Sequence, residues 1–146
     1  MIDITGTAHV GIRIGNFEHS IRFYKKLGFN VIRDDQQERV VVLKHPCDVE
    51  INLLDSADND NSGRNVLMDE PARYAGYTHL ALSVGSIHKS AEAIRSLGIV
   101  ITEGPVTFGD GSTSVFFRDP DRNVIELSQP QQFDQSPINA ATEQST

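Results

Sequence analysis

Residues 8–31, AHVGIRIGNFEHSIRFYKKLGFNV, superpose without a gap on residues 78–101, THLALSVGSIHKSAEAIRSLGIVI, at a constant offset of 70. His9 meets His79, Gly15 meets Gly85, Ser20 meets Ser90, and Leu27-Gly28 meets Leu97-Gly98. Between these identities the apolar positions agree in kind, Val10 with Leu80, Ile12 with Leu82, Ile14 with Val84 and Phe29 with Ile99. Self-similarity at a fixed spacing marks a tandem of related units.

Each copy opens on alternating residues, Ala8–Ile14 and Thr78–Val84, a period that places successive side chains on opposite faces of a strand. A helix is predicted behind each. Phe17, Ile21, Tyr24 and Leu27 recur at helical spacing after the capping residue Asn16, and Ile87, Ala91, Ile94 and Leu97 do so after Ser86. Gly28 and Gly98 then stop the helices. Three short strand signals follow each helix, at 30–34, 39–44 and 48–54 and again at 99–103, 113–118 and 123–128. The expected fold class is α+β: two tandem βαβββ modules whose mixed sheets curve around a central metal or substrate cavity.

The expected domain covers 1–129, with module one at 5–54, a linker at 55–76 and module two at 77–129. The linker is Asn/Asp-rich and aperiodic, and 130–146 reads as a tail with little fixed structure. Gly-rich FGDGST at 108–113 reads as a strand-linking turn, and Phe23 and Tyr24 as core or interface.

Among the 146 residues, 13 Lys and Arg stand against 20 Asp and Glu, a formal charge of −7. A chain of that sign lacks the basic face that phosphate backbones and anionic lipid attract, so nucleic acid and membrane are not expected partners. No stretch approaches the roughly 18 apolar residues of a spanning helix. Cys47 is the single cysteine, which excludes an internal disulfide and fits a reducing cytoplasm.

Strand parity carries the functional argument. His9, Gly11 and Arg13 point one way and Val10, Ile12 and Ile14 the other; His79, Ala81 and Ser83 oppose Leu80, Leu82 and Val84. In the last strand of module one, Asp48, Glu50 and Asn52 share a face, as do Val124, Glu126 and Ser128 in module two. Four strands thus each present a metal-competent side chain, His9, Glu50, His79 and Glu126, away from the helices. Two imidazoles and two carboxylates suit a borderline or hard divalent cation, which would also offset the cost of two half-buried carboxylates. Small Gly11 and Ala81 leave room beside it. His19, His45 and His88 read as solvated helix or turn residues, and Cys47 as packing.

The paired modules, the openings AHVGIRI and THLALSV, the helix-ending LGF and LGI and the closing FRDPDRNVIEL resemble the vicinal oxygen chelate superfamily over residues 5–129. That group includes glyoxalase I, fosfomycin-resistance enzymes, extradiol dioxygenases and bleomycin-binding proteins. The pattern is most similar to glyoxalase I, whose metal positions fall on His9, Glu50, His79 and Glu126. The resemblance implies one divalent ion (Ni, Co, Zn, Mn or Fe) and a lyase or isomerase acting on an α-oxo hemithioacetal or related vicinally oxygenated compound. It implies Glu126 as the base, with Glu50 as the alternative, and Arg13, Asn52 and Ser83 as substrate contacts. Leu54 and Ala75 stand where that family places a glutathione-binding Asn and a basic residue, so a glutathione adduct or another thiol adduct remains open. The resemblance also implies a homodimer, with epoxide opening, ring cleavage and metal-free binding as alternative activities.

Overall fold

The structure is a computed structural model that describes residues 1–58 and 63–132. Positions 59–62 of the expected linker and 133–146 of the expected tail lie outside the described residues. Module one comprises β1 (Val10–Arg13), α1 (Phe17–Lys26), β2 (Asn30–Asp35), β3 (Val40–Lys44) and β4 (Glu50–Leu54). Module two repeats the order as β5 (His79–Ser83), α2 (Ile87–Ser96), β6 (Ile101–Thr107), β7 (Thr113–Arg118) and β8 (Val124–Gln129). Each module forms one four-stranded sheet, ordered β1-β4-β3-β2 and β5-β8-β7-β6. The β1–β4 and β5–β8 pairs are parallel and the other ladders antiparallel, so both sheets are mixed.

The helix boundaries follow from local chemistry. The Asn16 side chain accepts from the His19 amide and the Ser86 side chain from the Lys89 amide, which satisfies a first-turn N–H in each helix. Both helices end at Leu-Gly, where Gly28 (φ 96°) and Gly98 (φ 75°) take the left-handed turn. The strand expected at 99–103 instead runs on to Thr107, past Gly104 and Pro105, with register shifts on either side of Glu103. β6 is an edge strand, where a missing Pro N–H and a bulge are tolerated.

One core joins the modules. Ile14, Leu43 and Ile51 of the first and Ile94, Phe117 and Ile125 of the second belong to a single buried cluster. The Phe23 ring lies 6.2 Å from that of Phe117. The turn after β7 is the clasp: Tyr24 Oη donates to Asp119 Oδ2 at 2.9 Å, and the Gly15 amide donates to Asp121 Oδ1 at 2.9 Å. Burial pushes the Asp119 carboxyl up against the pull of its hydrogen bonds, and burial with Asp119 nearby pushes the Tyr24 phenol up.

The expected linker is not featureless. Asp69 accepts from Arg122 Nε at 2.8 Å, pairs with Arg118 at 3.2 Å and accepts from the Asn65 amide at 2.6 Å, which ties this segment to the same turn.

Candidate metal centre on the outer sheet faces

Because the shared core takes the helix-side face of both sheets, the polar faces turn outward. Leu80 and Leu82 pack on the core, whereas His79, Ala81 and Ser83 are exposed; Ile12 packs inward, whereas His9, Gly11 and Arg13 are exposed. The parity read from the sequence is therefore the parity of the structure.

In module two, parallel pairing sets His79 opposite Val124 and Ala81 opposite Glu126. The His79 imidazole reaches diagonally over small Ala81, and its Nε2 lies 2.9 Å from Glu126 Oε2. Glu126 is buried, and its other oxygen, Oε1, accepts a 2.6 Å hydrogen bond from Ser114 Oγ on β7. Thr78 Oγ1 stands 2.8 Å from His79 Nδ1, and the Phe116 ring meets the imidazole edge-on at 6.0 Å. A buried carboxylate is costly unless its lone pairs are used, and here each oxygen has one partner.

Module one presents a looser array. β1 pairs with β4 so that Gly11 stands opposite Asn52, and the same register carried one residue back sets His9 opposite Glu50. Glu50 is half-buried with Lys44 across the antiparallel β3–β4 ladder. Asn52 is also half-buried, and its Oδ1 is a buried atom without a hydrogen-bond partner. Arg13 Nε donates to Ser56 Oγ at 3.2 Å.

The structure thus brings His79 and Glu126 into contact and places His9, Glu50, Asn52 and Arg13 on the other sheet's outer face. It does not gather the four expected ligands within one chain. Among the described residues, no three His, Cys, Asp or Glu side chains stand close enough to hold an ion. Ser83 instead lines a cavity of about 570 Å³ with Ala81, Leu97, Phe29 and His45, between module two and the C-terminal end of α1. His45 is not a solvated turn residue: it is half-buried with its ring 5.2 Å from that of Phe29, and Cys47 is exposed with its Sγ 2.9 Å from His45 Nδ1.

Ser114, Thr78 and Phe116 were not singled out in the sequence. Alternation along TSVFFR places Ser114 and Phe116 on one face, but only the β7–β8 register shows that this face abuts Glu126.

The donors present fit a divalent cation. Imidazole nitrogen, carboxylate and amide oxygen are ligands for borderline and hard metals. The 2.9 Å between His79 Nε2 and Glu126 Oε2 is a hydrogen-bond distance, so these two donor atoms already face each other.

Comparison with known proteins agrees with this fold. The sequence model of the Glyoxalase/Bleomycin resistance protein/Dioxygenase superfamily matches residues 6–127. A Bacillus subtilis protein, YwkD, is 32% identical over 82% of this chain and 92% of its own. The lactoylglutathione lyase of Haemophilus influenzae is 27% identical over 82% and 88% respectively. Among solved structures, a virulence protein from Salmonella typhimurium superposes with a TM-score of 0.63 at 28% identity, over 88% of this chain and 99% of that one. Among the described residues, no helix is long and apolar enough to cross a membrane.

Proposed function

The chain belongs to the Glyoxalase/Bleomycin resistance protein/Dioxygenase superfamily, and from that premise we propose that it is a divalent-metal-dependent lyase of the glyoxalase I type. Its substrate would be an α-oxo hemithioacetal or a related vicinally oxygenated small molecule. The observation that carries the reading is the His79–Glu126 contact at 2.9 Å on an outer sheet face, with His9, Glu50 and Asn52 standing on the equivalent face of module one. Relatives named lactoylglutathione lyase at 25–27% identity support the same class.

His79 and Glu126 would hold the ion from module two, and His9 with a donor from β4, where Glu50 and Asn52 share the face, from module one. When bound, the ion supplies Lewis acidity toward two adjacent substrate oxygens. Glu126 would move a proton between neighbouring substrate carbons, with Glu50 as the alternative. Ser114 fixes one of the Glu126 oxygens and leaves the other facing His79. Arg13, exposed on the β1 face, would meet an anionic group of the substrate.

Since the polar faces of one chain point away from the shared core, two copies would complete the donor set, module one of one copy facing module two of the other. The test is turnover of the methylglyoxal–glutathione hemithioacetal by protein reloaded with Ni, Co, Zn, Mn or Fe(II). Metal-dependent thioester formation that vanishes in Glu126→Gln supports the proposal. Absence of product with every metal, or full activity in that variant, overturns it.

A further inference from the structure

Two polar side chains of β4, Glu50 and Asn52, share the outer face, and the repeat lets the structure choose between them. We infer that the module-one counterpart of Glu126 is Asn52, so that the fourth donor is its amide oxygen Oδ1 and not the Glu50 carboxylate. This inference rests on the metal reading above.

The ladders carry the first argument. In module two, Glu126 lies opposite Ala81 on one side and Phe116 on the other. In module one, the residue opposite Gly11 and Val42 is Asn52. Gly11 and Ala81 are equivalent in the repeat, each two residues beyond its histidine. Glu50 therefore takes the place of Val124, opposite Lys44 as Val124 is opposite Arg118. Strand residues rise about 3.3 Å each, so Glu50 sits some 7 Å back along its strand from the position that answers Glu126. A donor that meets His9 as Glu126 meets His79 must come from position 52.

The second argument is independent of the repeat. Asn52 Oδ1 is buried and has no hydrogen-bond partner. An amide oxygen only accepts, so either a donor or a cation must satisfy it, and hard divalent ions take amide oxygens readily. Glu50 has no such need: among the described residues its oxygens are not buried without a partner, and Lys44 across the ladder pairs with Asp48 at 3.5 Å.

The consequence is a change of charge. Two neutral imidazoles, one carboxylate and one amide leave a divalent ion with one net positive charge, where a second carboxylate would leave none. The ligand class that such a centre selects is a monoanion chelating through two vicinal oxygens, and exposed Arg13 on the same face adds to the preference.

The experiment is titration of the metal-free chain with Co(II), read by visible absorbance, followed by titration of the cobalt-loaded protein with acetohydroxamate, a monoanionic vicinal-oxygen chelator. Asn52→Ala is expected to weaken cobalt binding by about tenfold or more, while Glu50→Gln leaves it within about twofold, inside the usual scatter of surface changes. Asn52→Asp, close in shape and so a safeguard against misfolding, is expected to keep cobalt, alter its spectrum and weaken acetohydroxamate by about tenfold, since its charge neutralises the centre. Loss of cobalt in Glu50→Gln with retention in Asn52→Ala overturns the inference, as does an Asn52→Asp protein that matches the parent in both spectrum and acetohydroxamate affinity. A parent chain that takes up no cobalt overturns the metal reading itself, an outcome distinct from the other two.

Discussion

His79 Nε2 lies 2.9 Å from Glu126 Oε2 across two neighbouring parallel strands, with Ala81 too small to intervene. The pair is oriented from behind: Ser114 Oγ holds the second carboxylate oxygen at 2.6 Å, and Thr78 Oγ1 stands 2.8 Å from the far imidazole nitrogen. Partners of this kind fix the direction in which ligand atoms point.

Ser114→Ala removes one of those partners from a buried carboxylate. The expected cost is about 1–3 kcal/mol of stability, together with a loss of roughly tenfold in metal affinity, as for other residues that orient ligands. Thermal unfolding and cobalt titration measure the two effects separately. An unchanged affinity would show that Ser114 does not position Glu126.

Tyr24→Phe tests the clasp between the modules. The phenol donates to Asp119, itself buried and also held by Asn123 Nδ2 at 2.9 Å. Loss of a hydrogen bond to a buried carboxylate is expected to cost about 1–3 kcal/mol, a fall of several degrees in Tm for a chain of this size. The isosteric ring keeps its packing against Phe23 and Phe29, so a change below roughly 0.5 kcal/mol would contradict this account.

Asp69 supplies a pH signature. Hydrogen bonds from Arg122, with Arg118 nearby, hold its carboxyl down at about 2. A carboxyl lowered in the fold contributes stability above its unfolded value of about 3.9, and that contribution is lost as pH falls from there toward 2. Asp69→Asn is expected to lower stability at neutral pH by roughly 1–2 kcal/mol and to flatten the acid limb of the stability profile. Denaturant titrations at pH 7, 4 and 3 compare the two proteins, and parallel acid limbs would contradict the assignment.

The features legible in the sequence were those set by local chemistry. Asn16 and Ser86 cap the helices where expected, Gly28 and Gly98 end them, and the alternation around His9 and His79 reports the observed faces. Alternation identifies a face but not what lies beside it. VEINLL puts Glu50 and Asn52 on the same side, and only the pairing of β1 with β4 shows which of them answers Glu126. Ser114 escaped notice for the same reason. Nor does patterning show which faces of two modules meet: the apolar helix-side faces share the core, because burying them removes the most hydrocarbon from water. The continuation of β6 through Gly104 and Pro105 depends on its edge position, which no local signal encodes.

The proposed completion of the site by a second chain has a direct consequence in mixed assemblies. Neither His9→Ala nor His79→Ala alone is expected to form an intact centre. Co-refolded, they would give hybrids with one intact centre from the unaltered module one of one chain and module two of the other. Metal retained per chain should rise well above that of either variant, whereas centres built within single chains would show no recovery.

The most direct test of the central claim is metal content per chain after stripping and reconstitution, measured by mass spectrometry on the parent protein beside His79→Ala and Glu126→Gln. The account expects about one tightly held divalent ion per parent chain and a large loss in both variants. A parent that retains no metal, or variants that retain as much as the parent, would contradict it.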